Sequence, residues 1–236
     1  MSTSRAPAPP PLRSALAGLR RTVLSRGARW KPAVERLELA AGPAILKDCA
    51  ALPLWGRPLA RWLLARETCA LERLQGLGGF PSLLARVDRD AVLIGLVAGR
   101  PLDGATFAQD PQRWAAALRA RVAAMHARRV YHLDLRQPQN LLVDEDHGLG
   151  VVDFGAGWAP GRIGAFFCAR LLGWVDRQAV LKYLSRFAPQ QMTREEARTY
   201  LRGLFWRRLW IFSPHRNRGA EAAVRRRLQD LSAGSA

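Results

Sequence analysis

His126-Ala-Arg-Arg-Val-Tyr-His132-Leu-Asp134-Leu-Arg136-Gln-Pro-Gln-Asn140-Leu-Leu-Val-Asp144, followed by Val151-Val152-Asp153-Phe154-Gly155, is the stretch on which the fold turns. Tyr131–Asn140 reads as a polar loop, and two short apolar runs, Leu141–Val143 and Leu149–Val152, stand on either side of Asp144–Gly148. Short apolar runs separated by turn formers predict a hairpin. Just upstream, Pro111–Arg128 predicts a helix. Asp110 precedes a proline at the first helical position, where the missing N–H would have no partner anyway, and the body is rich in alanine. The order is therefore a helix, a loop carrying Asp134 and Asn140, and a hairpin that delivers Asp153.

Working outward, Val34 to Leu46 shows two strand-like runs around Ala40–Pro43. Arg57–Leu77 reads as a helix ending at Gly78-Gly79, and Val92–Val97 as an apolar strand closed by Gly99 and Pro101. Beyond Ile163 the pattern is mainly helical, and no internal repeat is visible. Residues 1–31 hold no acidic side chain, begin with the Pro-rich run Ala6–Pro11, and place Leu12, Leu16, Leu19 and Val23 on one helical face. They predict a basic amphipathic tail docked on its own domain, with a membrane-surface segment or an organellar transit peptide as alternatives. The expected domains are this tail, residues 32–97 and residues 98–236.

A chain of 236 residues that is 49% hydrophobic has ample material for a buried core and for one or two domains. Lys+Arg 37 against Asp+Glu 19 gives +18, which favours phosphate-rich partners without choosing among nucleotides, nucleic acid and anionic membrane. Only Lys31, Lys47 and Lys182 are lysines, and the Ala, Gly and Pro usage points to a GC-rich coding background. A lysine retained there is informative, because arginine does not replace a compact ammonium where geometry is tight. Cys49, Cys69 and Cys168 are odd in number and widely spaced, so neither a disulfide framework nor a C-x-x-C site is suggested, which fits a reducing cytosol. Ile163–Val175 and Leu204–Phe212 are too short or too charged to span a bilayer, and no secretory apolar region precedes residue 30. A cytoplasmic protein is expected, with peripheral contact at the inner face of a membrane as an extension. The mixture of aromatics and cations in Phe205–Phe212 and the arginines of His215–Arg227 suit that surface, or helices packing aromatics inward with arginine outward.

The H-x-D-L pattern at His132–Leu135, the downstream Asn140, the hairpin and the D-F-G at Asp153–Gly155 together resemble the protein-kinase superfamily. The likeness is to bacterial RIO-like serine/threonine kinases and lipopolysaccharide-core kinases, and it covers roughly Val34–Leu184. It implies an α+β, minimal bilobal kinase-like fold with a small β-rich N-lobe and a mainly helical C-lobe. Phosphoryl transfer needs an acceptor oxygen held in line and phosphate charge neutralised. In that frame Asp134 would orient the acceptor hydroxyl, Arg136 would stand near the transferred phosphate, and Asn140 and Asp153 would ligate Mg²⁺. His132 would be a structural buttress. Ala44-Ile-Leu-Lys47 resembles V-A-I-K, so Lys47 would hold the ATP phosphates with Glu67 as its ion-pair partner and Glu72 as the competitor.

Three departures sharpen the expectation. No G-x-G-x-x-G precedes Lys47, so a short or different loop must cover the phosphates. Asn140 lies one residue later than the usual spacing, a place taken here by Gln139, so either amide could face the metal. Leu133 replaces the regulatory arginine and no A-P-E follows, which removes the activation-loop switch and the usual peptide shelf. The implied activity is transfer of the ATP γ-phosphate to a hydroxyl of a protein, a glycolipid or a small molecule by a monomer. A catalytically inactive pseudokinase or adaptor at an anionic membrane is the alternative of another class. A specific nucleic-acid partner is not expected, since no recognition platform accompanies the charge.

Overall fold

In the computed structural model, which describes residues 13–144, 148–208 and 218–233, the chain divides into two units. One comprises residues 13–97 with 154–156, the other the remaining described residues. The first unit holds α1 (Arg13–Ala17), β1 (Arg21–Ser25), β2 (Ala33–Leu39), β3 (Gly42–Asp48), α2 (Arg57–Leu74), β4 (Leu83–Arg86) and β5 (Ala91–Gly95). Its five strands form an antiparallel sheet in the order β1-β2-β3-β5-β4. Side chains alternate along a strand, so Ala44 and Leu46 join Leu16, Leu37, Ala91 and Leu93 in one apolar cluster. Lys47, out of phase with them, points to the opposite face.

The N-terminal helical stripe is corrected by the structure. α1 ends at Ala17, and after Gly18 the chain enters β1, which pairs with β2 and leaves Val23 53% exposed. Thr22 and Val23 are β-branched and favour extended backbone. Pairing with β2 gives their backbone groups partners that an isolated short helix cannot secure. Arg13–Ala17 and Arg21–Ser25, expected in a tail, are therefore part of the first unit, while Leu12 lies outside the described residues. Three strands thus precede α2, and β2 and β3 meet at the expected Ala40–Pro43 connection. Leu39 pairs directly with Gly42, which leaves only a two-residue turn there. α2 ends at Leu74 rather than Leu77, because Gly76 at φ +82° carries the chain out of the helix. β5 stops at Gly95, two residues short of the expected Val97.

The second unit is mainly helical. It contains β6 (Arg100–Pro101), α3 (Gly104–Gln109), α4 (Pro111–Ala127), β7 (Leu141–Asp144), β8 (Gly148–Val151), α5 (Arg162–Phe187), α6 (Arg194–Arg208) and α7 (Arg218–Ala233). The predicted hairpin is β7 with β8, and β6 extends it to a three-stranded sheet. Gly99 at φ +130° permits that extension, since a Cβ there would lie 2.7 Å from the Val143 carbonyl oxygen. Asp110 caps α4 by accepting the Arg113 N–H at 2.9 Å, and Trp114, Leu118, Val122 and Met125 bury one face of the helix. Arg119 on α4 grips both carboxylate oxygens of Glu196 on α6 at 2.7 Å. Among the described residues no helix is long and apolar enough to cross a membrane. The aromatic and cationic side chains expected at Phe205–Phe212 and His215–Asn217 lie outside the described residues.

Candidate active site

In the first unit the Lys47 ammonium meets the Glu67 carboxylate at 2.7 Å, with the two side chains only 11% and 4% exposed. β3 sets the lysine opposite Val34 and Val92, and α2 supplies the glutamate. α2 is tied to the sheet a second time. The Arg61 guanidinium donates to both oxygens of Asp90, at 2.5 and 3.1 Å, and this holds the Asp90 carboxyl below the usual aspartate value. Burial, with the Asp90 charge beside it, pushes the Cys49 thiol up to about 11, so this cysteine is a packing residue rather than a nucleophile. Glu72, the other candidate partner for Lys47, faces outward and pairs with Arg86 at 2.9 Å. A buried Lys–Glu pair adds little net stability for the desolvation it costs, and removing one partner strands the other.

The second unit assembles Asp134, Arg136, Asn140 and Asp153 around a bend in the chain. Leu133 adopts φ +65° and Asp153 φ +63°, a left-handed backbone that non-glycine residues seldom accept. Asp176 of α5, fully buried, holds the first of these bends. Its Oδ2 accepts the His132 backbone N–H at 2.9 Å, its Oδ1 the Leu133 N–H at 2.8 Å, and His126 Nε2 lies 3.0 Å from Oδ2. The ring of His132 is fully buried and spanned by backbone. Nε2–H donates to the Val152 carbonyl at 2.9 Å, and Nδ1 accepts the Asp134 N–H at 3.3 Å. Both ring nitrogens are thus occupied as one donor and one acceptor, which suits a buttress and leaves no free nitrogen to shuttle a proton.

Asn140 and Gln139 separate cleanly. Asn140 is buried and its Nδ2 donates to the Asp134 carbonyl at 2.9 Å. Gln139 is exposed, with its amide 3.4 Å from the side-chain oxygen of Gln137. The Val152 N–H donates to the Asn140 carbonyl at 3.0 Å, so Asp153, the next residue, is indexed to the same loop. Arg136 offers its carbonyl to Lys182 Nζ at 3.2 Å and to Tyr183 Oη at 3.5 Å, both from α5. Burial pushes the Tyr183 hydroxyl up to about 12.

Asp176, Lys182 and Tyr183 are absent from the motif-based set of site residues. Their only sequence signal is a lone carboxylate inside an apolar helical stretch and a lysine in a lysine-poor chain. Among the described residues no group of three or more His, Cys, Asp or Glu gathers to hold a metal. The chain matches no protein-family model, and no curated protein matches it.

Proposed function

We propose that the chain is an ATP-dependent phosphotransferase of protein-kinase-like, bilobal fold that moves the γ-phosphate to a hydroxyl acceptor. The observation that carries the reading is the buried Lys47–Glu67 ion pair between β3 and α2. A core selected for stability alone gains little from such a pair, whereas an ammonium held immobile by a carboxylate is suited to grip nucleotide phosphates. The geometry of the second unit supports the same reading: Asp134 with a backbone locked by His132 and Asn140, and Asp153 adjoining them. In this scheme Asp134 takes or orients the acceptor proton, and Asn140 and Asp153 hold the Mg²⁺ that arrives with ATP. Arg136 faces the transferred phosphate. The β1–β2 connection, with Arg26, Arg29 and Lys31 and a sharp bend at Gly27 (φ +71°), takes over the phosphate-covering task of a glycine-rich loop. The test is transfer from labelled ATP into a lysate split into protein, lipid and polysaccharide fractions, with Asp134→Asn and Asp153→Ala in parallel. Label lost in both variants is the expected result, and label that persists in both refutes the assignment.

A further inference from the structure

The first turns of α5 carry an apolar stripe that faces solvent. Ile163, Phe166, Phe167 and Leu171 are 78%, 83%, 74% and 64% exposed. With Arg170 they follow the spacing of one helical face. Between Arg162 and Leu171 only Ala165 is buried, whereas most positions from Leu172 to Ser185 are buried. One half of the helix is core, and the other half offers aromatic rings outward.

An apolar patch of this kind marks an interaction surface, and charge identifies the partner. Residues 154–175 contain no Asp or Glu, and Arg162 and Arg170, both exposed, have no carboxylate partner among the described residues. A second copy of a chain carrying +18 would bring the same sign to the face, which opposes self-association. Phenylalanine and leucine beside arginine, without acids, suit the boundary of an anionic bilayer. The rings enter the acyl edge and the guanidinium groups meet lipid phosphates. The exposed cluster of Leu54, Trp55, Leu59 and Trp62 differs, because two of its arginines are engaged within the protein, Arg61 by Asp90 and Arg57 by the Leu52 carbonyl. We infer that the Arg162–Leu171 face of α5 docks on an anionic lipid surface. This inference stands apart from the catalytic reading.

The full chain is sedimented with vesicles of phosphatidylcholine alone and of phosphatidylcholine mixed equally with phosphatidylglycerol. Phe166→Ser with Phe167→Ser, and Arg162→Gln with Arg170→Gln, are run beside it. Circular dichroism checks that each variant folds, as expected for side chains this exposed. Binding to the mixed vesicles should fall about tenfold in the phenylalanine variant, and roughly fivefold for each arginine removed. Equal binding by all proteins would place the contact elsewhere on this basic chain and overturn the inference. So would a wild-type chain that ignores vesicles but forms a dimer which the phenylalanine variant dissolves.

Discussion

Replacing Asp176 tests how the Asp134 loop is held. Two backbone N–H groups, of His132 and Leu133, end on its carboxylate in a buried setting, and His126 contributes a third contact. Asp176→Ala strands both backbone donors at about 1–3 kcal/mol each, a total of about 2–6 kcal/mol. That rivals the whole stability of a typical domain, about 5–15 kcal/mol. Asp176→Asn is the more informative change. Its amide keeps one accepting oxygen but turns an NH₂ toward the other backbone donor, so one of the two bonds is lost at about 1–3 kcal/mol. With a urea dependence of about 1–3 kcal/mol per molar, the unfolding midpoint should fall by about 1 M. Amide hydrogen exchange at His132 and Leu133 should accelerate ahead of the rest of the unit, because the Asp176 carboxylate accepts both of these amides and Leu133 sits at φ +65°. A midpoint within about 0.2 M of the native protein, with unchanged exchange at those two amides, would refute the reasoning.

Further outcomes follow from the same geometry. Lys47→Met leaves Glu67 buried without its cation and should cost about 3–5 kcal/mol by thermal unfolding, most of it recovered in Lys47→Met with Glu67→Leu. Both proteins should lose phosphate transfer. Asn140→Ala removes the bond to the Asp134 carbonyl and should cost about 1 kcal/mol and abolish transfer, whereas Gln139→Ala should stay within about 0.5 kcal/mol and remain active. Tyr183 gives a pH signature. Its hydroxyl loses its proton at pH 10.0 when unfolded and at about 12 when folded, so its contribution is complete below pH 10 and is lost as pH rises through 12. Over that window the native chain should lose more stability than Tyr183→Phe, measured by urea midpoints against pH.

Much of the second unit is legible because its signals are local. The proline after Asp110, the apolar runs around Asp144–Gly148, and the apolar period through Trp114 and Leu118 each act within a few residues. β1 and Asp176 are not legible for the opposite reason. β1 is a strand because β2 lies alongside to pair with it, and its own residues suit either reading until that partner is present. Asp176 serves two backbone amides more than forty residues away, and an amide leaves no mark in the sequence.

Residue chemistry and order are determined by the sequence alone: a lysine in a strand before an acid-bearing helix, a loop with Asp134 and Asn140, and a hairpin leading to Asp153. Choices between near neighbours are made by the tertiary structure. Glu67 rather than Glu72 meets Lys47, because the face of α2 turned to β3 carries it while Glu72 faces Arg86. Asn140 rather than Gln139 turns inward, because the Asp134 carbonyl is there to accept its amide. The outward stripe on α5 is likewise decided by what surrounds it, since an apolar helical period predicts a buried face and only packing shows which half is covered. Local periodicity sets the element, but burial and partner choice are properties of the folded surroundings.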